Sequence, residues 1–228
     1  MAELPDYKRD FIELMLEAGV LTFGDFVTKS GRRTPYFINA GNFNDGYRLA
    51  RLGSFYAAAL MRELQGDFDN LYGPAYKGIP LASVTAAALY LDHGRRVSYT
   101  FNRKETKDHG EGGVLVGYQY RGGEKVVIIE DVITAGTSVR ETVPRLQAAR
   151  VTLRAHVVSV DRQERGQGAR SALQEVRAEF GIAAFAIVTL DEIVAYLRAP
   201  GPAYRASVTP ALLDRILAYR REYGAAAD

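Results

Sequence analysis

Apolar residues recur along the chain at two spacings, one typical of helices and one of buried strands. Near the start they follow helical spacing, so residues 6–18 are predicted to form a helix that Gly19 closes. Short extended pieces follow. A second helix is predicted over residues 47–64, with Asp45 as its N-cap.

From residue 70 onward, apolar strands alternate with helices. The strands are short and rich in β-branched residues, which is typical of a parallel sheet with both faces covered. The predicted strands are 70–73, 96–101, 125–130, 151–160 and 183–188. The predicted helices are 79–91, 138–149, 169–180 and 211–223. The fold class is therefore α/β, with a central, mostly parallel sheet flanked by helices.

One segment does not fit this alternation. Residues 102–113 are polar and glycine-rich without apolar periodicity, and residues 114–129 are predicted to form a hairpin. A long loop inside a compact α/β domain usually has a functional reason, so we expect a flexible lid. The alternative is a solvated loop of mixed charge, because Glu105, Asp108 and Glu111 dilute its cations.

Composition narrows the classes of function. The 228 residues are predicted to form one domain, and 29 basic against 27 acidic residues give too small an excess for a broad nucleic-acid surface. We expect neither a nucleic-acid nor a membrane partner, since no uncharged stretch is long enough to cross a bilayer. The chain has no cysteine, so we expect a cytoplasmic protein without disulfides or a thiol nucleophile. Its three histidines lack metal-ligand spacing, and no metal site built from protein ligands is expected.

The strongest candidate site follows the apolar strand 125–130, because ligands collect at the carboxyl ends of parallel strands. Turn amides, hydroxyls and a helix N-terminus would bind an anion, and two carboxylates would accept hydrogen bonds from sugar hydroxyls, which suits a ribose monophosphate. The alternative is an ordinary turn before a capped helix. The candidate residues are Glu130, Asp131, Val132, Ile133, Thr134, Ala135, Gly136, Thr137 and Ser138.

Further candidates lie in two other loops. Tyr76 and Lys77 follow the strand 70–73 in a loop of small residues that could hold a diphosphate; the alternative is a solvated lysine beside turn-forming glycines. The lid segment could close over a departing pyrophosphate and place cations where negative charge develops. Its candidate residues are Arg103, Lys104, Lys107 and His109.

The remaining candidates suit a planar, carboxylated base. Phe37 and Ile38 could sandwich a base beside Lys29, although the same segment could simply be a hairpin packed on the core. Arg162 follows a strand and could grip a carboxylate through two hydrogen bonds; otherwise it is a solvated loop charge.

With these segments in view, the chain resembles the type I phosphoribosyltransferases and, within them, the orotate phosphoribosyltransferases. EDVITAGTS (130–138) is similar to the wider family's motif for 5-phospho-α-D-ribose 1-diphosphate (PRPP). KSGRRTPYFINAG, YGPAYKGIPLA, FNRKETKDHGEGG and DRQERG match the orotate enzymes in order and spacing, so the resemblance covers almost the whole chain. Two positions depart from it: Glu130 stands where many relatives have Asp, and Ile38 where close bacterial relatives have Phe.

The resemblance implies transfer of the phosphoribosyl group from PRPP to orotate in pyrimidine biosynthesis. It implies Mg²⁺ held mainly by PRPP and water, and a homodimer whose lid serves the neighbouring site. It also implies a hood built from residues 1–44 and the C-terminal helix over a core of 45–200. PRPP or pyrophosphate would contact residues 130–138 together with Lys29, Tyr76, Lys77, Arg103, Lys104, Lys107 and His109. Orotate would contact Lys29, Phe37, Ile38, Thr134 and Arg162. The catalytic residues would be Arg103, Lys107, His109 and Asp131.

Two alternative functions remain open at this point. A phosphoribosyltransferase acting on a purine base would share the PRPP motif, but Arg162 and Lys29 suit a carboxylated pyrimidine better. A PRPP-sensing regulator of transcription or RNA binding could share the fold; the complete lid segment and the near-neutral charge argue against it.

Overall fold

The computed structural model describes residues 4–28, 31–107, 113–133, 136–166, 168–199 and 208–226, with residues 105–107 and 113 described in their backbone only. The helices in these ranges are α1 (Asp6–Glu17), α2 (Gly46–Leu64), α3 (Gly78–His93), α4 (Thr137–Ala148), α5 (Ala172–Phe180), α6 (Leu190–Arg198) and α7 (Pro210–Tyr223). The strands are β1 (Leu21–Val27), β2 (Arg33–Ile38), β3 (Asn70–Gly73), β4 (Ser98–Lys107), β5 (Gly113–Gly117), β6 (Lys125–Ile129), β7 (Thr152–Asp161) and β8 (Ala183–Thr189).

A six-stranded sheet with the order β5-β4-β3-β6-β7-β8 forms the centre of the molecule. Strands β4, β3, β6, β7 and β8 run parallel, and β5 joins antiparallel at one edge. The predicted α/β class and the mostly parallel sheet are therefore confirmed. None of the described helices is both long and apolar enough to span a bilayer.

Alternate residues of the central strands face two different cores. Val127 and Ile129 of β6 belong to a cluster with residues of α1, α2 and α3, whereas Val126 and Ile128 belong to a second cluster with residues of α4 and α5. This alternation explains why the strand is apolar throughout, because both of its faces are covered by helices. Because β3, β6 and β7 run parallel, their carboxyl ends lie at the same edge of the sheet.

The β1–β2 hairpin forms a separate antiparallel sheet. It packs on α7, where the rings of Tyr36 and Tyr219 meet edge to face with their centroids 5.8 Å apart. The short extended pieces predicted after the first helix are therefore a hairpin that contacts the C-terminal helix.

Two sequence predictions around the lid are wrong. The loop predicted over 102–113 is shorter than expected, because β4 continues to Lys107 and β5 begins at Gly113. Residues 108–112 lie outside the described residues. The hairpin predicted over 114–129 does not form. Strand β5 pairs with β4, and β6 instead lies between β3 and β7. Backbone pairing of β6 in the sheet centre satisfies both of its edges, which a two-stranded hairpin would leave half exposed.

Helix α6 was not predicted from the sequence. Its N-terminus carries a reciprocal cap, in which the Thr189 hydroxyl accepts from the Glu192 N–H and the Glu192 carboxylate accepts from the Thr189 N–H. The T-x-x-E spacing that builds this cap is visible in the sequence and would have indicated the helix.

Candidate active site

Asp131 lies just beyond the carboxyl end of β6 and pairs with the lysine of the neighbouring loop. Lys77 Nζ donates to Asp131 Oδ2 at 2.6 Å. The Asp131 side chain is 16% exposed and the Lys77 side chain 73% exposed, so the ion pair opens to solvent on the lysine side. The Asp131 carbonyl oxygen also accepts from the Ser159 N–H at 2.9 Å, which fixes its backbone against β7. The structure thus brings into contact Lys77 and Asp131, which were predicted in separate segments.

Glu130 is held from both its main chain and its side chain. Its carbonyl oxygen accepts from the Tyr56 hydroxyl at 2.7 Å, and its Oε2 lies 2.8 Å from Nε2 of the fully buried His156. Burial, reinforced by the nearby Asp131, raises the pKa of Tyr56 well above its ordinary value, so this hydroxyl remains a donor. Neither Tyr56 nor His156 was among the predicted site residues.

The turn after β6 leads into an uncapped helix. Val132 bridges to Val160 of β7, and Ile133 packs against the second core cluster. Gly136 adopts φ 69° immediately before α4, whose first turn has no side-chain cap. Uncapped amides at a helix N-terminus favour an anion, which is the property predicted for this turn. Thr137 and Ser138 form the first turn of α4, while Thr134 and Ala135 lie outside the described residues.

The loop between β3 and α3 is built on two glycines that touch. A Cβ on Gly73 would lie 2.1 Å from the Gly78 carbonyl oxygen, and a Cβ on Gly78 would lie 2.7 Å from the Gly73 carbonyl carbon. The buried amide of Asn102 on β4 closes the loop, because its Oδ1 accepts from the Ala75 N–H at 3.1 Å. This tight turn presents Tyr76 and Lys77 at the carboxyl edge of the sheet; the Ala75–Tyr76 peptide is cis.

Strand β4 brings lid residues to the same loop. The Lys104 ammonium lies 4.6 Å from the centroid of the Tyr76 ring, within the range of a cation–π contact. Arg103 is half-buried on the same strand. Lys107 ends β4 with only its backbone described, and His109 lies outside the described residues. The structure therefore places Lys104, Tyr76, Lys77 and Asp131 along one edge.

A cavity of about 130 Å³ opens beside this edge. Its polar wall includes Lys77, Asp131 and Ser159. Its apolar wall comes from α2, α3 and the short helical turn at residues 40–42 that follows the hairpin. Helical periodicity could place Tyr56 on a buried face, but nothing in the sequence indicated that its hydroxyl would reach the site.

Arg162 is partly buried, and its charge is paired with a neighbouring carboxylate. Its guanidinium donates to Glu164 and lies 5.7 Å from the Tyr36 ring centroid, and the Tyr36 hydroxyl also donates to Glu164, at 3.1 Å. Burial disfavours the charged guanidinium, but Tyr36 and Glu164 outweigh it and raise the pKa of Arg162. Glu164 was missed from the sequence, although it lies only two residues after Arg162.

Phe37 and Ile38 lie on opposite faces of β2. Phe37 is exposed and its ring centroid lies 5.5 Å from that of Phe26, whereas Ile38 packs against the large core cluster. The side chains of Phe37 and Ile38 in the same chain therefore cannot enclose a base between them. Lys29 lies outside the described residues.

Carboxylates and histidines do not gather into a metal site in the described ranges, where no group of three or more such residues could hold an ion. Glu130 faces His156 and Asp131 faces Lys77, so each site carboxylate already has a cationic or hydrogen-bonding partner.

Comparisons with known proteins identify the family of the chain. The phosphoribosyl transferase domain family matches residues 39–184. The orotate phosphoribosyltransferase of Clostridium beijerinckii is 50% identical over 96% of this chain and 98% of its own length, and that of Cronobacter sakazakii is 52% identical over the same shares. The crystal structure of the Francisella tularensis orotate phosphoribosyltransferase superposes with a TM-score of 0.83 at 36% identity, over 95% of this chain and all of that one. The chain therefore belongs to the phosphoribosyltransferase family and, within it, to the orotate phosphoribosyltransferases.

Proposed function

We propose that the chain transfers the 5-phosphoribosyl group of PRPP to orotate, giving orotidine 5'-monophosphate and diphosphate in pyrimidine biosynthesis. The observation that carries the proposal is the Lys77–Asp131 pair, in a chain half identical to orotate phosphoribosyltransferases. Asp131 belongs to the segment that leads from β6 to the uncapped N-terminus of α4. This arrangement offers separate positions for a phosphate, a ribose and a diphosphate along one sheet edge.

The 5-phosphate of PRPP would bind at the start of α4. Amides of the first turn and the hydroxyls of Thr137 and Ser138 would donate to its oxygens, and the helix dipole favours its negative charge. Thr134 and Ala135 would complete this cradle from the turn before the helix. The ribose would then lie over Glu130 and Asp131, whose carboxylates accept hydrogen bonds from its hydroxyls.

Binding of PRPP would exchange the partners of Lys77. Lys77 is 73% exposed and reaches the largely buried Asp131 from the solvent side, so the lysine can leave this contact without disturbing the packing of the protein. Lys77 would turn to the diphosphate, and Asp131 would be released for the ribose hydroxyls. Tyr76, Arg103, Lys104, Lys107, His109 and Lys29 are the other proposed contacts of the diphosphate.

The transfer itself needs positioning and charge stabilisation rather than a nucleophile on the protein. As the glycosidic bond to diphosphate breaks, C1 of the ribose develops oxocarbenium character and negative charge grows on the leaving group. Cations of the lid and Lys77 would stabilise that charge, and lid closure would exclude water that could intercept the reactive centre. Orotate would attack C1 through a ring nitrogen as the bond from C1 to diphosphate breaks, and the proton of that ring N–H would pass to the departing diphosphate.

The orotate carboxylate would be recognised by Arg162, with Lys29, Phe37, Ile38 and Thr134 around the base. Since Arg162 already donates to Glu164, orotate would have to join or replace that pair. Glu164 would hold the guanidinium in place until the carboxylate arrives, which lowers the entropy cost of binding it.

Mg²⁺ fits the site only as a partner of the substrate. Both site carboxylates already have protein partners, so the hard oxygen ligands that Mg²⁺ prefers would come mainly from PRPP and water. Bound there, the ion would neutralise diphosphate charge. We also propose a homodimer in which the lid of one chain serves the site of the other, with residues 1–44 and α7 forming a hood over the core.

An orotate assay tests the proposed function. Purified protein is mixed with orotate, PRPP and Mg²⁺, and the loss of orotate absorbance is followed, with PRPP or Mg²⁺ omitted in parallel. We expect the absorbance to fall only in the complete mixture. An unchanged absorbance together with consumption of a purine base would instead establish a purine phosphoribosyltransferase. A salt-sensitive shift of RNA or DNA without turnover would establish a regulator.

A further inference from the structure

His156 has no part in the function proposed above, yet it contacts one of the two site carboxylates. Its side chain is fully buried on β7, and its Nε2 lies 2.8 Å from Oε2 of Glu130. An ionised carboxylate only accepts hydrogen bonds, so Nε2 carries the hydrogen and donates it. We propose that His156 is a positioning residue that fixes Glu130 to receive a ribose hydroxyl of PRPP, an inference that rests on the proposed function.

The adjacent carboxylates of Glu130 and Asp131 lie toward opposite faces of the sheet. His156 and Val158 share a face of β7, and Val158 packs in the core cluster of α4 and α5. Glu130 reaches His156 on that face. Asp131 instead lines the cavity with Ser159, on the face covered by α2. Ribose bound between them would therefore meet one carboxylate from each side, provided that neither side chain turns away.

Glu130 is the residue of the pair that needs to be held. Three rotatable bonds separate its carboxylate from the backbone, and ordering such a side chain costs on the order of 1–2 kcal/mol when the ligand must do it. The Glu130 N–H donates to the Val157 carbonyl oxygen at 3.0 Å, and the Glu130 carbonyl oxygen accepts from the Tyr56 hydroxyl at 2.7 Å. The backbone of Glu130 is therefore already fixed. His156 supplies the remaining constraint on the side chain.

The contact leaves the second carboxylate oxygen available. Oε2 is taken by His156, while Oε1 has no hydrogen-bond partner in the described ranges and the side chain is 14% exposed at the site edge. A buried imidazole cannot itself contact PRPP. Its effect on PRPP must therefore pass through Glu130 and must be specific for the sugar rather than for the diphosphate.

Two variants of the full-length chain separate these effects. His156→Val removes the donor but keeps a residue suited to a strand, and His156→Gln replaces it with an amide whose Nε2 can also donate. Affinities for PRPP and for inorganic diphosphate are measured by calorimetry with Mg²⁺. We expect His156→Val to weaken PRPP about tenfold and diphosphate by less than about twofold, since one charge-assisted hydrogen bond loses its support. We expect His156→Gln to recover most of the loss.

Steady-state kinetics should show the same selectivity, with a raised KM for PRPP and little change in kcat or in KM for orotate. His156→Asn serves as a second variant if His156→Val does not fold, because it keeps a polar side chain in the buried position but is too short for its amide to reach Glu130. We expect the same selective loss of PRPP affinity from it.

Equal losses of PRPP and diphosphate affinity, or no loss of either, would show that His156 is only structural and would overturn the inference. The same holds if His156→Gln is as weak as His156→Val. Failure of the unaltered chain to bind PRPP at all is a different result, since it contradicts the proposed function itself and not only the role of His156.

Discussion

At the scale of single residues, the site depends on contacts that form only when strands come into register. Glu130 and His156 are 26 residues apart and meet because Ile128 of β6 is paired with His156 of β7 in the parallel ladder. The sequence showed an acidic pair after an apolar strand, but it gave no sign of which residue on the next strand would face it. Chemistry along one segment was thus predictable, whereas partners on a second strand were not.

Replacing Lys77 tests the proposed exchange of its partner from Asp131 to the diphosphate of PRPP. We expect Lys77→Ala to lower kcat/KM for PRPP at least tenfold, because a charged contact to the diphosphate is lost. The free energy of unfolding should fall by only about 1 kcal/mol, since Lys77 is 73% exposed and water can replace its ammonium group at Asp131. Steady-state kinetics and urea unfolding measure the two effects.

Lys125→Ala is a matched control for that experiment. Lys125 begins β6 at the opposite edge of the sheet and, like Lys77, forms an ion pair with an aspartate, but it lies away from the site. Its removal should leave the kinetics unchanged. If both variants lose activity equally, the diphosphate role of Lys77 is wrong.

A second residue-scale prediction concerns the closely packed loop before α3. Gly78→Ala should destabilise the chain by about 1–3 kcal/mol and reduce PRPP affinity, because the added methyl would overlap the backbone of Gly73 and displace Lys77. Gly46→Ala is the control. Gly46 also begins a helix, but a Cβ there meets nothing within 4 Å. Urea unfolding of both variants, followed by calorimetry with PRPP, measures the difference; similar stability of the two would contradict the steric argument.

At the scale of elements, apolar runs were enough to predict most helices and strands, but not every pairing. The bounds of β3 were predicted residue for residue, and Asp45 caps α2 as expected, because its side chain accepts from the Arg48 N–H at 2.8 Å. The neighbour of β5 could not be deduced, because strand order depends on contacts between distant segments. Strand β5 pairs antiparallel with β4 at the edge of the sheet, so the lid segment is the connection between these two strands.

Lys107 ends β4, and its replacement tests the proposed role of the lid cations. We expect Lys107→Ala to lower kcat about a hundredfold with little change in KM for orotate, because its charge matters most as diphosphate departs. The measurement is a full kinetic analysis with both substrates varied.

Arg121→Ala controls for the loss of a cation near the same strands. Arg121 lies between β5 and β6, at the edge of the sheet opposite the site, and its side chain is exposed. Its removal should not alter kcat. A Lys107 variant whose kcat and orotate affinity fall by the same factor would contradict a role in the transition state.

At the scale of the whole molecule, the balanced charge conceals a local concentration of cations. Lys77 and Lys104 lie along the same carboxyl edge, and the sequence adds Lys107 and His109 on the lid. A near-neutral total therefore argues against a broad surface for binding polyanions but is compatible with a site for one small, highly charged substrate. Such a site also needs no cysteine, which agrees with a transfer that forms no covalent bond to the protein.

The proposed sharing of the lid between two chains can be tested by mixing variants. Lys107→Ala and Asp131→Asn chains, each nearly inactive alone, are dissociated together and allowed to reassociate. If the lid serves the neighbouring site, a mixed dimer contains one site with both residues intact, so a random mixture should regain about a quarter of the unaltered activity. Each variant carried through the same treatment alone is the control. A mixture no more active than its components would mean that each lid closes over its own chain's site.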